Sequence, residues 1–170
     1  MINHHIFYSG VFMAATGLWI FLLEEWAIAL LGWSWWVEAA AMVTLVAAWA
    51  LGFGWLSRRF ERQCDVAAAW QLALPADADA ADGTITPLGA EIFARSLESV
   101  ARLNGIPARR FNWRHGSIAG RVSHVLWLAG AGESRETIDK LIRRVKAYLW
   151  VAVALAAAAG TLTAILGRNV

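Results

Sequence analysis

Three long apolar stretches constrain this chain more than any other feature. A helix needs about 20 mostly apolar residues to cross the hydrocarbon core of a bilayer. One such stretch runs from Ile6 to Leu23, where Glu24 and Glu25 are expected to stop it. A second runs from Trp36 to Leu56 and carries one carboxylate, Glu38, near its start. A third, rich in Ala, Val and Leu, runs from Tyr148 to Leu166. Burying three such segments inside a soluble protein would take a far larger polar shell than 170 residues contain. Only 16% of the chain is charged, whereas a soluble domain carries about a quarter. The expected fold is all-α and integral to a membrane, in three parts. Residues 1–56 form a transmembrane helical hairpin with spans at 6–23 and 36–56. Residues 57–147 form a helical polar region between spans two and three. Residues 148–170 form a C-terminal span and tail.

The charges set an orientation. Fourteen of the 15 Lys and Arg residues lie between Arg58 and Lys146, and only Arg168 lies elsewhere. The positive-inside rule places 57–147 in the cytoplasm. Trp26, Trp33, Trp35 and Trp36 then form a belt at the opposite headgroup level, where tryptophan is enriched. Glu24, Glu25 and Glu38 read as hydrated markers of the span ends. Residues Met1 to His5 contain no basic stretch of the kind that opens a cleavable signal. A bacterial cell membrane is the expected location and the lipid bilayer the expected surrounding. A net charge of +2 gives no case for nucleic acid. The single cysteine, Cys64, excludes an internal disulfide and reads as a small helix-packing residue.

The polar region reads as a series of helices. Residues 57–74 lack Pro and Gly and continue the second span as a helix, which Pro75 ends. Residues 75–87 are small, acidic and turn-rich, as in an exposed loop. A helix over 88–103 would turn Leu88, Ile92, Phe93, Leu97 and Val100 inward, with Asn104-Gly105 as its stop. Ser117 can cap a helix over 118–130, with Ile118, Val122, Val125 and Ala129 inward. Ser134 can cap a fourth, carrying Ile138, Leu141, Ile142 and Val145, which runs straight into the third span. Lys140, Arg143, Arg144 and Lys146 collar that junction as snorkelling anchors against anionic lipid. No strand pattern is visible.

A few residues carry possible chemistry. Glu61 and Asp65, four apart, share one helix face between Arg58 and Arg62. They are either ion-pairing groups on a solvated helix or a metal ligand with a neighbour that orients a ligating histidine. His115 precedes a helix start. It is either a surface or capping histidine or a hydrogen-bond donor to a developing oxyanion. Arg121 taken alone is an ordinary surface arginine, and His124 has no evident partner. His4 and His5 read as interfacial polar residues. There is no phosphate loop, no nucleophile elbow, no Cys-x-x-Cys and no His-Glu-x-x-His.

Taken in order, these segments resemble a known family. Ser57-Arg-Arg-Phe-Glu61-Arg-Gln-Cys-Asp65 is similar to the Glu-x-x-x-Asp segment of the integral-membrane zinc metallopeptidases that include the CAAX prenyl proteases and the heat-shock protease HtpX. Cys64 replaces an alanine common there. Trp113-Arg-His115-Gly-Ser-Ile-Ala-Gly-Arg121 looks like the later segment, in which a His and a small polar turn precede a helix with Arg six residues on. Gly116 stands where proline is usual, a change expected to loosen the turn. Met1-Ile-Asn3-His4-His5 looks like the sequence that follows the second zinc histidine of the family's His-Glu-x-x-His helix.

The resemblance implies a zinc-dependent endopeptidase acting on membrane-associated or misfolded polypeptides. It implies Glu61 as the third zinc ligand and Asp65 as the group that fixes a zinc histidine. His115 and Arg121 would contact the substrate backbone or the tetrahedral intermediate. Two zinc histidines and the general base are missing, and catalytic zinc needs three protein ligands. The chain therefore reads as the C-terminal part of such an enzyme, expected neither to bind zinc tightly nor to cleave peptides by itself. Either a start codon lies upstream of Met1 or the gene is truncated. The alternative is a non-catalytic membrane remnant that scaffolds or regulates a partner.

Overall fold

The computed structural model describes residues 4–72 and 83–167. Pro75 and most of the acidic loop, the Met1–Asn3 stretch and Arg168 lie outside the described residues. The chain is an all-α membrane protein. Its helices are α1 (His5–Leu31), α2 (Trp35–Gln71), α3 (Pro87–Leu103), α4 (Ile118–Gly130) and α5 (Arg135–Gly167). α1, α2 and α5 are each long and apolar enough to cross a bilayer. Among the described residues the extended pairings are two isolated bridges, Thr84 with Ser134 and Asn112 with Gly116.

One expected boundary moves. Glu24 and Glu25 do not stop α1, which continues to Leu31. Carboxylates at a hydrated headgroup level do not break helical hydrogen bonding, and neither Pro nor Gly intervenes before Gly32. That glycine ends the helix at φ 82°, a conformation L side chains avoid. At 1.5 Å per residue, 27 residues exceed the roughly 30 Å hydrocarbon core, so the last turns can sit among headgroups. The span from Trp36 and the polar stretch after it form one continuous helix, α2, as the residue pattern predicts.

The chain divides into two compact units: Met1–Leu56 with Arg144–Val170, and Ser57–Arg143. In the first, indole N–H groups tie the apolar helices together. Trp49 donates to the Met13 carbonyl at 3.3 Å, Trp19 to the Ala152 carbonyl at 3.0 Å and Trp26 to Thr163 Oγ1 at 3.0 Å. Away from water these donors need partners inside the protein. Gly52 lies against the Phe12 ring with no room for a Cβ, and Gly17 against Trp49. Small residues of this kind let spanning helices pack closely. Lys146 Nζ sits 4.7 Å from the centre of the Tyr8 ring.

The second unit has its own apolar core. Val66 and Ala69 of α2 meet Ile85, Ala90 and Phe93 around α3, and Val125, Leu128 and Ala129 of α4. Thr86 caps α3 by accepting from Gly89 N–H at 3.1 Å, with Pro87 in the first turn. Ser117 caps α4 through Gly120 N–H at 3.1 Å, and the Ser134 hydroxyl accepts from Glu136 N–H at the head of α5. The inward face of α3 differs from expectation. Leu88 and Val100 are exposed, and Ala90, Ala94 and Ala101 take the core with Phe93. Close helix packing here favours alanine over longer side chains. On α5 Ile142 is buried and Leu141 exposed. Cys64 is exposed and does not pack in the core.

Candidate functional site

The site is built from one face of α2 and the entrance to α4, all within the Ser57–Arg143 unit. Arg58 and Arg62, and Glu61 and Asp65, are each four residues apart and share that side of the helix. The chain between α3 and α4 makes a tight turn. Asn112 and Gly116 exchange backbone hydrogen bonds of 3.0 and 2.7 Å. Asn112 Oδ1 accepts from the N–H groups of Arg114 at 2.9 Å and His115 at 3.2 Å. Gly116 sits at φ 74°, where proline, fixed near −65°, cannot go. The glycine thus closes this turn, contrary to the loosening expected of it. His115 is delivered to α2 as a result, and its Nδ1 meets Glu61 Oε1.

Asp65 and Arg121 form the other half. Arg121 Nε donates to Asp65 Oδ2 at 2.8 Å and Nη2 to Oδ1 at 2.6 Å. Paired, charge-assisted bonds of this geometry are among the strongest side-chain contacts. The Asp65 side chain is 4% exposed and that of Arg121 22%. The Asp65 hydrogen bond holds the Arg121 guanidinium above its ordinary pKa, against the opposing effect of burial. Two readings of the sequence are thereby corrected. Asp65 does not pair along a solvated helix, and Arg121 is not an ordinary surface arginine. A carboxylate this buried needs a hydrogen-bonded partner, and the α4 arginine is that partner.

The remaining carboxylate oxygen, Glu61 Oε2, is buried without a hydrogen bond among the described residues. Arg121 Nη1 approaches it only to 3.9 Å. Arg58 donates to the Trp113 carbonyl and lies over the Phe111 ring. Together with Arg62, Ser117 and Gly120 these groups line a pocket of about 230 Å³. His124 stays apart. Its Nε2 is buried without a hydrogen bond among the described residues. Burial, helped by Arg62 and Arg59 and opposed by Asp65, holds its pKa below the ordinary value. His4, at φ 45°, precedes α1 and belongs to the other unit.

Spacing along α2 pointed to Glu61 and Asp65. It did not disclose that Arg58 would hold the 111–116 turn or that Asn112 would shape it. The signal for Asn112 was its type, since asparagine readily bonds backbone N–H groups two and three residues on.

The orphaned Glu61 oxygen is an atom a metal could use, but the donor set does not fit zinc. Among the described residues no group of three or more His, Cys, Asp or Glu side chains could hold a metal ion. Glu61 and His115 supply two donors, already engaged with each other, beside the Arg121 cation.

The fold and pocket define an all-α membrane protein whose polar unit gathers a carboxylate–histidine pair and a carboxylate–arginine pair. Comparison with known proteins found no matching family model, no matching curated protein and no matching solved structure.

Proposed function

We propose that this chain is the part of a membrane-bound zinc metalloendopeptidase that carries its third zinc ligand and its substrate-contacting groups. The chain is not catalytic alone. In this reading Glu61 would be the third ligand, supplying one carboxylate beside two histidines, and zinc would supply the activation of a water. The two histidines and the general base come from a segment this sequence does not contain. His115 and Arg121 contact the substrate backbone or the tetrahedral intermediate; Asp65, expected to fix a zinc histidine, instead has both oxygens bonded to Arg121 and so positions that residue. The unit spanning Ser57–Arg143 faces the cytoplasm of a bacterial cell, on the strength of its basic residues.

The observation that supports this most is convergence. Two separate segments, 57–65 and 113–121, each resemble one family, and their paired residues lie 54 and 56 positions apart in the chain. Their four polar residues line or support a single pocket. The second reading, a non-catalytic scaffold or regulator, draws on the lack of a three-donor group among the described residues.

In-frame translation of the DNA upstream of the Met1 codon separates the two. A His-Glu-x-x-His motif there supports the enzyme, and a stop codon or unrelated sequence supports the scaffold. Zinc titration of the purified chain tests inactivity in isolation. Micromolar or tighter binding would overturn it.

A further inference from the structure

We propose that the connection between α3 and α4 is a membrane-surface contact that binds the headgroup region of an anionic bilayer. The inference rests on the membrane spans and the exposed side chains of this connection, and is independent of the peptidase reading.

Leu103, the last residue of α3, is 83% exposed, and in the connection itself Phe111 is 67%, Trp113 49% and Ile106 46% exposed. Large apolar side chains concentrated in one exposed segment mark an interaction surface. Arg109, Arg110 and Arg114 lie among them and are also exposed. From Leu103 to Gly132 the sequence contains no Asp or Glu. A segment that served only for solubility would mix charges of both signs. Tryptophan and phenylalanine beside arginine, with no carboxylate, suit a layer where acyl chains meet phosphates. The ring enters the apolar edge, and the guanidinium fork pairs with phosphate oxygens.

Two features favour lipid over a protein partner. The unit that bears this connection is joined covalently, at both its ends, to helices able to cross a bilayer. An anionic surface is therefore always within the chain's reach. Its aromatic groups are also held in a fixed turn. Asn112 and Gly116 pair across it, and Arg58 secures the Trp113 carbonyl. A rigid tip loses little freedom when it enters the interface.

The test uses the full chain in nanodiscs containing phosphatidylglycerol. Cys64 is replaced by Ala, and a nitroxide label is placed at Leu103→Cys or Ala108→Cys. A control label sits at Ser96→Cys on α3. Collision with oxygen, which partitions into lipid, is compared with collision with a water-soluble nickel chelate. The expected result is oxygen-favoured accessibility at 103 and 108 and nickel-favoured accessibility at 96. Replacing Arg109, Arg110 and Arg114 by Gln should shift 103 and 108 toward nickel. Nickel-favoured accessibility at both positions in the unsubstituted connection would overturn the proposal. So would shielding from both agents, which would mean that protein covers the segment. Oxygen-favoured accessibility unchanged by the three substitutions would overturn the anionic assignment. Two label positions guard against one variant failing to fold.

Discussion

At the residue scale, the Asp65–Arg121 pair does the most to define the site. Its two hydrogen bonds satisfy a carboxylate whose side chain is 4% exposed. Removing one partner of a buried pair strands the other charge, at a cost of about 3–5 kcal/mol. Arg121 keeps some water, so Arg121→Met should cost about 2–3 kcal/mol, below the fully buried range. Asp65→Asn combined with Arg121→Met should cost less than the sum of the single changes. Thermal or denaturant unfolding in detergent measures both. Additive losses would mean that the pair is not coupled.

His124 gives a pH dependence. Burial lowers its pKa from the ordinary 6.5, so the folded chain takes up this proton less readily than the unfolded one. The neutral imidazole favours the fold above that value. Stability should fall as pH drops below it. The same scan on His124→Gln should be flatter over that range. An identical slope would assign the dependence to other groups.

Elements show how much the sequence disclosed. The apolar stretches identified α1, α2 and α5 because a spanning helix has no alternative fold in lipid. The caps at Ser117 and Ser134 were legible because a hydroxyl before a periodic apolar run has a specific use. The end of α1 was not, since Glu24 and Glu25 mark a change of solvent rather than of backbone geometry. For the candidate site, spacing put Glu61 and Asp65 on one face but left their partners undecided. Those partners, His115 and Arg121, depend on α4 packing against α2 through Val66, Val125 and Ala129. No local pattern encodes that long-range contact.

Packing between elements is testable at Gly52. A Cβ there would collide with the Phe12 ring, and overpacking of this kind costs about 1–3 kcal/mol. Gly52→Val should lower the unfolding temperature in detergent, and Phe12→Ala in the same chain should recover part of the loss. No recovery would show that the ring is not the obstacle.

For the whole molecule, membrane orientation decides where the pocket works. The uneven distribution of Lys and Arg predicts that the polar unit is cytoplasmic and the α1–α2 turn is not. A phosphatase reporter, active only outside the cytoplasm, should work when fused at Trp33 and be silent when inserted near Gly83. The reverse would overturn the orientation and the cytoplasmic reading of the pocket with it.

The central claim is that Glu61 is one ligand of a zinc site whose other protein ligands lie outside this sequence. The most direct measurement is zinc titration of two proteins, the chain itself and the chain with a His-Glu-x-x-His helix fused before Met1. One tightly bound zinc is expected in the fusion, with weak binding by the chain alone and loss of the tight site in a Glu61→Gln fusion. Tight binding by the chain alone, or a fusion site untouched by Glu61→Gln, would contradict the claim.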